Sequence, residues 1–198
     1  MKVVLSKRAD AKLLEELKPD VVVIATGSKP LVPKIPGVEN AVLADDVLAG
    51  RVSVGRRVVV VGGGLVGVET ALHIATQGME ATIVEALPEI ARDVEPASKL
   101  ALLRPGGVLE THKVKVITNA NVIEVRRNGV EVLIPPIERR FIEADTVVMA
   151  VGREPNIDSA LIEGAKRVAK EVYIIGDAKA ARKVIDAMHE GFFTGLKI

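Results

Sequence analysis

Three glycines, Gly62, Gly64 and Gly67, stand at G-x-G-x-x-G spacing directly after four consecutive valines, Val58 to Val61. Further on, Glu85 closes the next apolar run, Ala81 to Val84. Residues of these types in this order suit one chemistry. The first glycine permits a tight turn out of a strand, the second leaves no side chain in the way of a pyrophosphate, and the third lets a helix pack closely on a sheet. The N–H groups and positive dipole end of that helix then face the phosphates. A carboxylate at Glu85 accepts hydrogen bonds from both hydroxyls of an adenosine ribose and repels a 2′-phosphate, which favours NAD(H) over NADP(H). Ala86, where a phosphate-binding arginine would otherwise stand, agrees with that. The alternative is that the glycines only shape a tight turn in a domain without a ligand.

Other chemistries have little to draw on. The chain has no cysteine, so it supplies no disulfide, redox dithiol or thiolate ligand for an iron–sulfur cluster. Its three histidines, His73, His112 and His189, have no acidic companions at ligand spacing, and no metal is expected. With 27 Lys plus Arg against 26 Asp plus Glu, the near balance of charge gives no support to a nucleic-acid partner. Phe141, Tyr173, Phe192 and Phe193 are the whole aromatic set, too few for a base-stacking surface. No apolar run has the length of a membrane span and the first residues do not form a signal peptide, so a soluble cytoplasmic protein is expected.

The elements that must position the glycines follow from periodicity. Four valines in a row read as a strand buried on both faces, the mark of a parallel sheet. From Leu65 to Gln77 apolar residues recur at helical spacing until Gly78 ends the run. Before them, Lys2 to Leu5 reads as a short strand, Ala9 to Leu17 as an amphipathic helix and Val21 to Ala25 as a buried strand. Lys29 to Pro36 reads as an extended crossing, and Val42 to Leu48 as a segment whose end, Asp45 to Leu48, is a short helix leading to Gly50. After Glu85, the segment Leu87 to Pro96 forms a surface connection bordering the nucleotide. Helical stretches are expected over Ser98–Leu103 and Val108–His112, and a strand over Val114–Thr118. Asn121 to Arg126, Asn128-Gly129 and Val130 to Ile134 read as a hairpin, with Phe141 to Glu143 as a third antiparallel segment. Asp145 to Ala150 returns as a buried strand and Val172 to Ile175 as another. A last helix, about Ala181 to Gly191, is expected to turn Val184, Ile185 and Met188 inward.

Three strands end alike, at Thr26-Gly27, Val151-Gly152 and Gly176-Asp177. Glycines there either let the backbone approach a ligand or simply end the strand. Asp177 either binds a ribose or ribityl hydroxyl or caps the following turn. Arg182 and Lys183 read equally as ligand contacts or as a solvated face.

Taken together, Asp20 to Ser28, Ile35 to Val38, Val58 to Ala71, Ile90 to Pro96, Asp145 to Asn156, Glu171 to Asp177 and Asp186 to Gly195 carry a family resemblance. The chain resembles the C-terminal FAD and NADH domains of the enoate reductase and 2,4-dienoyl-CoA reductase flavoproteins. These are relatives of old yellow enzyme and trimethylamine dehydrogenase in the pyridine nucleotide–disulfide oxidoreductase fold group. The resemblance implies an α/β, Rossmann-like three-layer FAD/NAD(P)-binding fold. Residues 52–150 would be an NAD(H)-binding domain with a β-meander, inserted into a partial FAD-type domain of residues 1–51 and 151–198. It implies that the turn of Gly62, Gly64 and Gly67 faces the NADH pyrophosphate and that Glu85 meets the adenosine ribose. It also implies that Gly176 and Asp177 line the flavin's pyrophosphate and ribityl chain, with Thr26 and Gly27 in the same FAD half-site. Gly63, Leu65, Val66, Ala86 and Gly152 complete the residues expected to bind cofactor. In relatives hydride passes from NADH to FAD, then through an iron–sulfur cluster to FMN in a barrel domain. No side chain is assigned an acid or base role.

The chain departs from its relatives in what precedes Lys2. They carry an earlier glycine-rich strand–turn–helix for the FAD pyrophosphate, together with the barrel and the cluster cysteines. A partner chain or a further N-terminal region is therefore expected to supply these, and the isolated chain is expected to be inactive and to hold FAD poorly. The segments Leu100–Glu110 and Ser159–Lys170 also read as shortened. The alternative function is a non-catalytic nucleotide-binding or subunit-interaction module, with self-association through an uncovered sheet edge.

Overall fold

The computed structural model describes residues 2–198. Residues 2–10 form no regular element, and Val3, Val4 and Leu5 are exposed, so the strand expected there does not form. Asp10 opens helix α1 (Ala11–Leu17) by accepting from the Leu13 N–H at 2.8 Å. Strand β1 (Val21–Ile24) and the short β2 (Ser28–Pro30) follow. A proline-rich crossing then reaches β3 (Val42–Leu43) and α2 (Ala44–Leu48), the short helix expected at Asp45 to Leu48. Next come β4 (Arg57–Val61), α3 (Leu65–Thr76) and β5 (Glu80–Val84). Helices α4 (Pro96–Leu103) and α5 (Val108–Thr111) lead to β6 (Lys115–Ile117). Strands β7 (Asn121–Arg126), β8 (Gly129–Ile134) and β9 (Glu138–Glu143) form an antiparallel meander, and β10 (Thr146–Met149) returns. The chain closes with β11 (Arg153–Pro155), α6 (Ser159–Val168), β12 (Glu171–Ile174) and α7 (Val184–Gly195).

Contacts divide these elements into two units: an outer one, residues up to 29 with 153–198, and a central one, residues 30–152. The division falls earlier than the sequence places it. Residues 30–51 join the central unit because β3 pairs with β10 and α2 packs against α3.

In the central unit five parallel strands run in the order β3-β10-β4-β5-β6. Alternation along β4 divides its valines between two cores. Val58 and Val60 meet Val47 of α2 and Val68, Ala71 and Ile74 of α3. Val59 and Val61 meet the meander through Val125, Val130 and Val132. All four valines are buried, which is what a parallel strand covered on both faces requires.

In the outer unit β1 and β12 make a two-stranded parallel ladder. One face is covered by Leu14 of α1 and by Leu161 and Ala165 of α6. Helix α6 is not among the elements expected from the sequence. Its signals are the Asp158 cap, whose carboxylate accepts from the Ala160 and Leu161 N–H groups at 3.0 and 3.2 Å, and the apolar spacing Leu161, Ala165, Val168. The inward face expected of the last helix is not found: Val184, Ile185 and Met188 are 76%, 52% and 63% exposed. A helical stripe reports a face, not what covers it, and the small outer core is already filled by α1 and α6.

Candidate functional site

Strand β4 lies between β5, reached through α3, and β10, which returns after the meander. Where neighbouring strands lead away in opposite directions, their carboxyl ends open a crevice. A cavity of about 490 Å³ occurs there. Gly62, Gly64, Leu65 and Val66 line it from the glycine turn, Glu85 and Ala86 from the end of β5, and Gly152 from beyond β10. Pro33, Ile35, Ala120 and Val122 add apolar wall. Gly62 has φ +104°, which disfavours any side chain, and a Cβ there would run into the Ala150 carbonyl. A Cβ on Gly67 would strike the Gly62 carbonyl oxygen. Gly67 therefore lies outside the crevice, buried in the contact that draws α3 onto β4, and Gly63 lines a smaller neighbouring cavity instead.

Two carboxylates set the electrostatics. The Gly63 N–H donates to Glu85 Oε2 at 2.6 Å, and the Leu87 N–H donates to Oε1 at 2.8 Å. These donors orient Glu85, and each of its oxygens keeps a further lone pair for a ligand hydroxyl. The Leu65 N–H, the first of α3, donates to both oxygens of Asp93, at 2.9 and 3.1 Å. The sequence leads one to expect this N–H free for a phosphate; the chain's own carboxylate occupies it. Asp93 lies in the connection expected to border the nucleotide, but its spacing does not disclose which donor it reaches. The remaining N–H groups of the first turn, Val66 and Gly67, have no acceptor within the helix.

A second cavity, about 500 Å³, belongs to the outer unit and is lined by Gly27, Gly176, Asp177 and Arg182 together with apolar residues of α7. Thr26 is not among its lining residues; its hydroxyl donates to the Asn156 carbonyl at 2.6 Å. Asp177 accepts from the Ser28 hydroxyl at 2.8 Å and from the Arg182 N–H at 3.2 Å. The Gly176 N–H donates to Glu190 Oε2 at 2.7 Å. Arg182, then Lys179 and this N–H, hold the Glu190 carboxyl well below the usual range, at about 2. Arg182 is thus engaged by Glu190 at 2.6 Å rather than merely solvated. The His189 ring meets Phe193 edge-on. Among the described residues no cluster of three or more His, Asp or Glu is placed to hold a metal, and no helix is long and apolar enough to cross a membrane.

Comparison with known proteins adds three kinds of finding. The family described as pyridine nucleotide-disulphide oxidoreductase matches residues 1–191. An NADH oxidase of Thermoanaerobacter brockii is 40% identical over 190 residues, and a cinnamate reductase of Clostridium sporogenes is 31% identical over 188. These alignments take in 93% and 95% of this chain but 29% and 28% of the relatives, so the chain spans under a third of their length. The solved structure of a 2-naphthoyl-CoA reductase complex superposes with a TM-score of 0.88 at 36% identity, covering 98% of this chain and 29% of the other.

Proposed function

The chain belongs to the pyridine nucleotide-disulphide oxidoreductase family, an NAD(H)- and FAD-binding fold, and on that premise we propose that its central unit is the NADH-binding part of a flavin-dependent oxidoreductase of enoate reductase type. The observation that carries this reading is the crevice at the ends of β4, β5 and β10. Gly62, whose positive φ and neighbouring Ala150 carbonyl leave no place for a Cβ, makes its turn, and Glu85 is held at its rim by two backbone donors. The residues fit a dinucleotide: bare backbone for the phosphates, a helix N-terminus behind it, and an acid for the ribose. The cavity volume lies in the range of small-molecule sites.

When bound, the nicotinamide supplies a hydride and the flavin accepts it. The protein's share is to hold and orient. Gly67 lets α3 come close enough for its N–H groups to reach the phosphates, and Glu85 selects a ribose without a 2′-phosphate. In the outer unit Gly27, Gly176 and Asp177 fit the hydroxyl-bearing chain of a flavin, although part of their polar capacity is already taken by Ser28, Arg182 and Glu190. The cluster and FMN expected of the complete enzyme, a cytoplasmic setting and a reducible unsaturated acid or thioester as substrate belong to the same proposal. With no cysteine, this chain contributes no thiolate to a cluster.

Calorimetry tests the reading. NADH should bind the chain and NADPH more weakly. Gly67→Val should reduce NADH affinity by at least about 100-fold, because separating α3 from β4 costs on the order of 3 kcal/mol. Unchanged affinity in that variant would remove the assignment. A second reading, a module that binds nucleotide without passing electrons, draws on the partial engagement of Asp177 and Gly176. Titration with FAD decides between them: a visible flavin spectrum retained through gel filtration favours electron transfer, and a colourless protein that binds NADH favours the module.

A further inference from the structure

The Leu65 N–H is the donor that a bound pyrophosphate would take first, since it opens α3 at the rim of the crevice. Asp93 holds it with both oxygens. Gly64, the residue in the N-cap position, has no side chain with which to satisfy the helix end, and a Cβ there would lie 3.3 Å from Asp93 Oδ2. The carboxylate therefore occupies the place where the glycine spacing leaves room for a phosphate. A phosphate on the same donor would meet it at contact distance, and like charges that close repel.

The connection that carries Asp93 is anchored on one side of it. Ile90 and Ala91 are buried, and the Ala91 N–H donates to the Gly63 carbonyl at 2.7 Å. Asp93 itself is exposed. Rotation of one side chain into water thus frees the Leu65 N–H while the buried anchor stays in place. We infer that Asp93 is an internal occupant of the phosphate seat, which a diphosphate-bearing nucleotide must displace, so that this carboxylate holds the affinity of the site below what its backbone donors would provide. The inference rests on the NADH-site reading and adds to it a residue that works against the ligand.

Calorimetric titration of the full chain with ADP, whose diphosphate is the group in question, separates the possibilities for wild type, Asp93→Asn and Asp93→Ala. Asp93→Ala should bind ADP tighter by roughly threefold to tenfold, the worth of a charge at a helix N-terminus, with Asp93→Asn in between. Both variants should melt below wild type without ligand, because the helix end loses the carboxylate's charge in each and, in Asp93→Ala, its acceptor as well. Lower melting with ADP affinity unchanged or weakened overturns the inference, since a carboxylate that only caps α3 gives that result. Asp93→Asn keeps a neutral acceptor and serves if Asp93→Ala does not fold. Absence of ADP and NADH binding in all three proteins would overturn the NADH-site reading and this inference together, whereas binding confined to the variants would support both.

Discussion

Val60 and Val23 each sit inside a run of valines, and in the folded chain their surroundings are opposite. Val60, in β4, is fully buried; Val23, in β1, is 40% exposed. The central unit covers its sheet on one side with α2 and α3 and on the other with the meander. The outer unit covers one face of its two-stranded ladder and leaves α7 with Val184, Met188 and Phe192 in solvent. The contrast extends to the sites. The central crevice brings the glycine turn, the helix start and the acid together at the carboxyl ends of β4 and β5. Side chains of the chain itself engage groups in both cavities: Asp93 takes the Leu65 N–H in the central one, and Gly176, Asp177 and Arg182 are held in the outer one. Packing on both faces of β4 fixes the glycine turn and the start of α3 in the central unit, a support that the one covered face of the β1–β12 ladder does not give.

The comparison breaks most visibly under buried charge. Val60→Asp should cost more than about 4 kcal/mol and prevent folding of the central unit, since an unpaired carboxylate cannot be solvated there. Val23→Asp should cost about 1 kcal/mol or less, because its side chain already reaches water. Urea unfolding followed by circular dichroism checks both, and equal losses would erase the distinction between the units.

On the proposed reading, Glu85→Ala should weaken NADH by roughly 100-fold or more, the worth of two ribose hydrogen bonds to a charged acceptor, and should narrow the preference over NADPH. Titration of both nucleotides measures it. A variant with unaltered preference would show that Glu85 serves only to brace Gly63 and Leu87.

The smallest effect belongs to the outer unit. The Glu190 carboxyl is lowered from 4.5 to about 2, so its contribution to stability is complete above pH 4.5 and is lost as the pH falls toward 2. Glu190→Gln should remove that part of the acid limb. The sole tyrosine, Tyr173, lies in β12, and there is no tryptophan, so intrinsic fluorescence reports this unit. The melting difference between wild type and variant should be constant above that window and shrink within it; a difference independent of pH would contradict the assignment.

Much of this was legible in the sequence. Four valines, three glycines and an acid determine a buried strand, a tight turn, a helix and a second strand, because strand burial, turn conformation and helical spacing are local demands on the chain. The Asn128-Gly129 hairpin is local in the same way. What tertiary structure decided is which surfaces meet. Residues 30–51 carry no signal that β3 will pair with β10, a strand about a hundred residues later. The stripe on α7 could not disclose that nothing in the described chain covers it. Nor could the connection after Glu85 disclose that Asp93 would reach the Leu65 N–H, since that depends on Ile90 and Ala91 sinking into the central core. Local preference chose the elements, and packing between distant segments chose their neighbours.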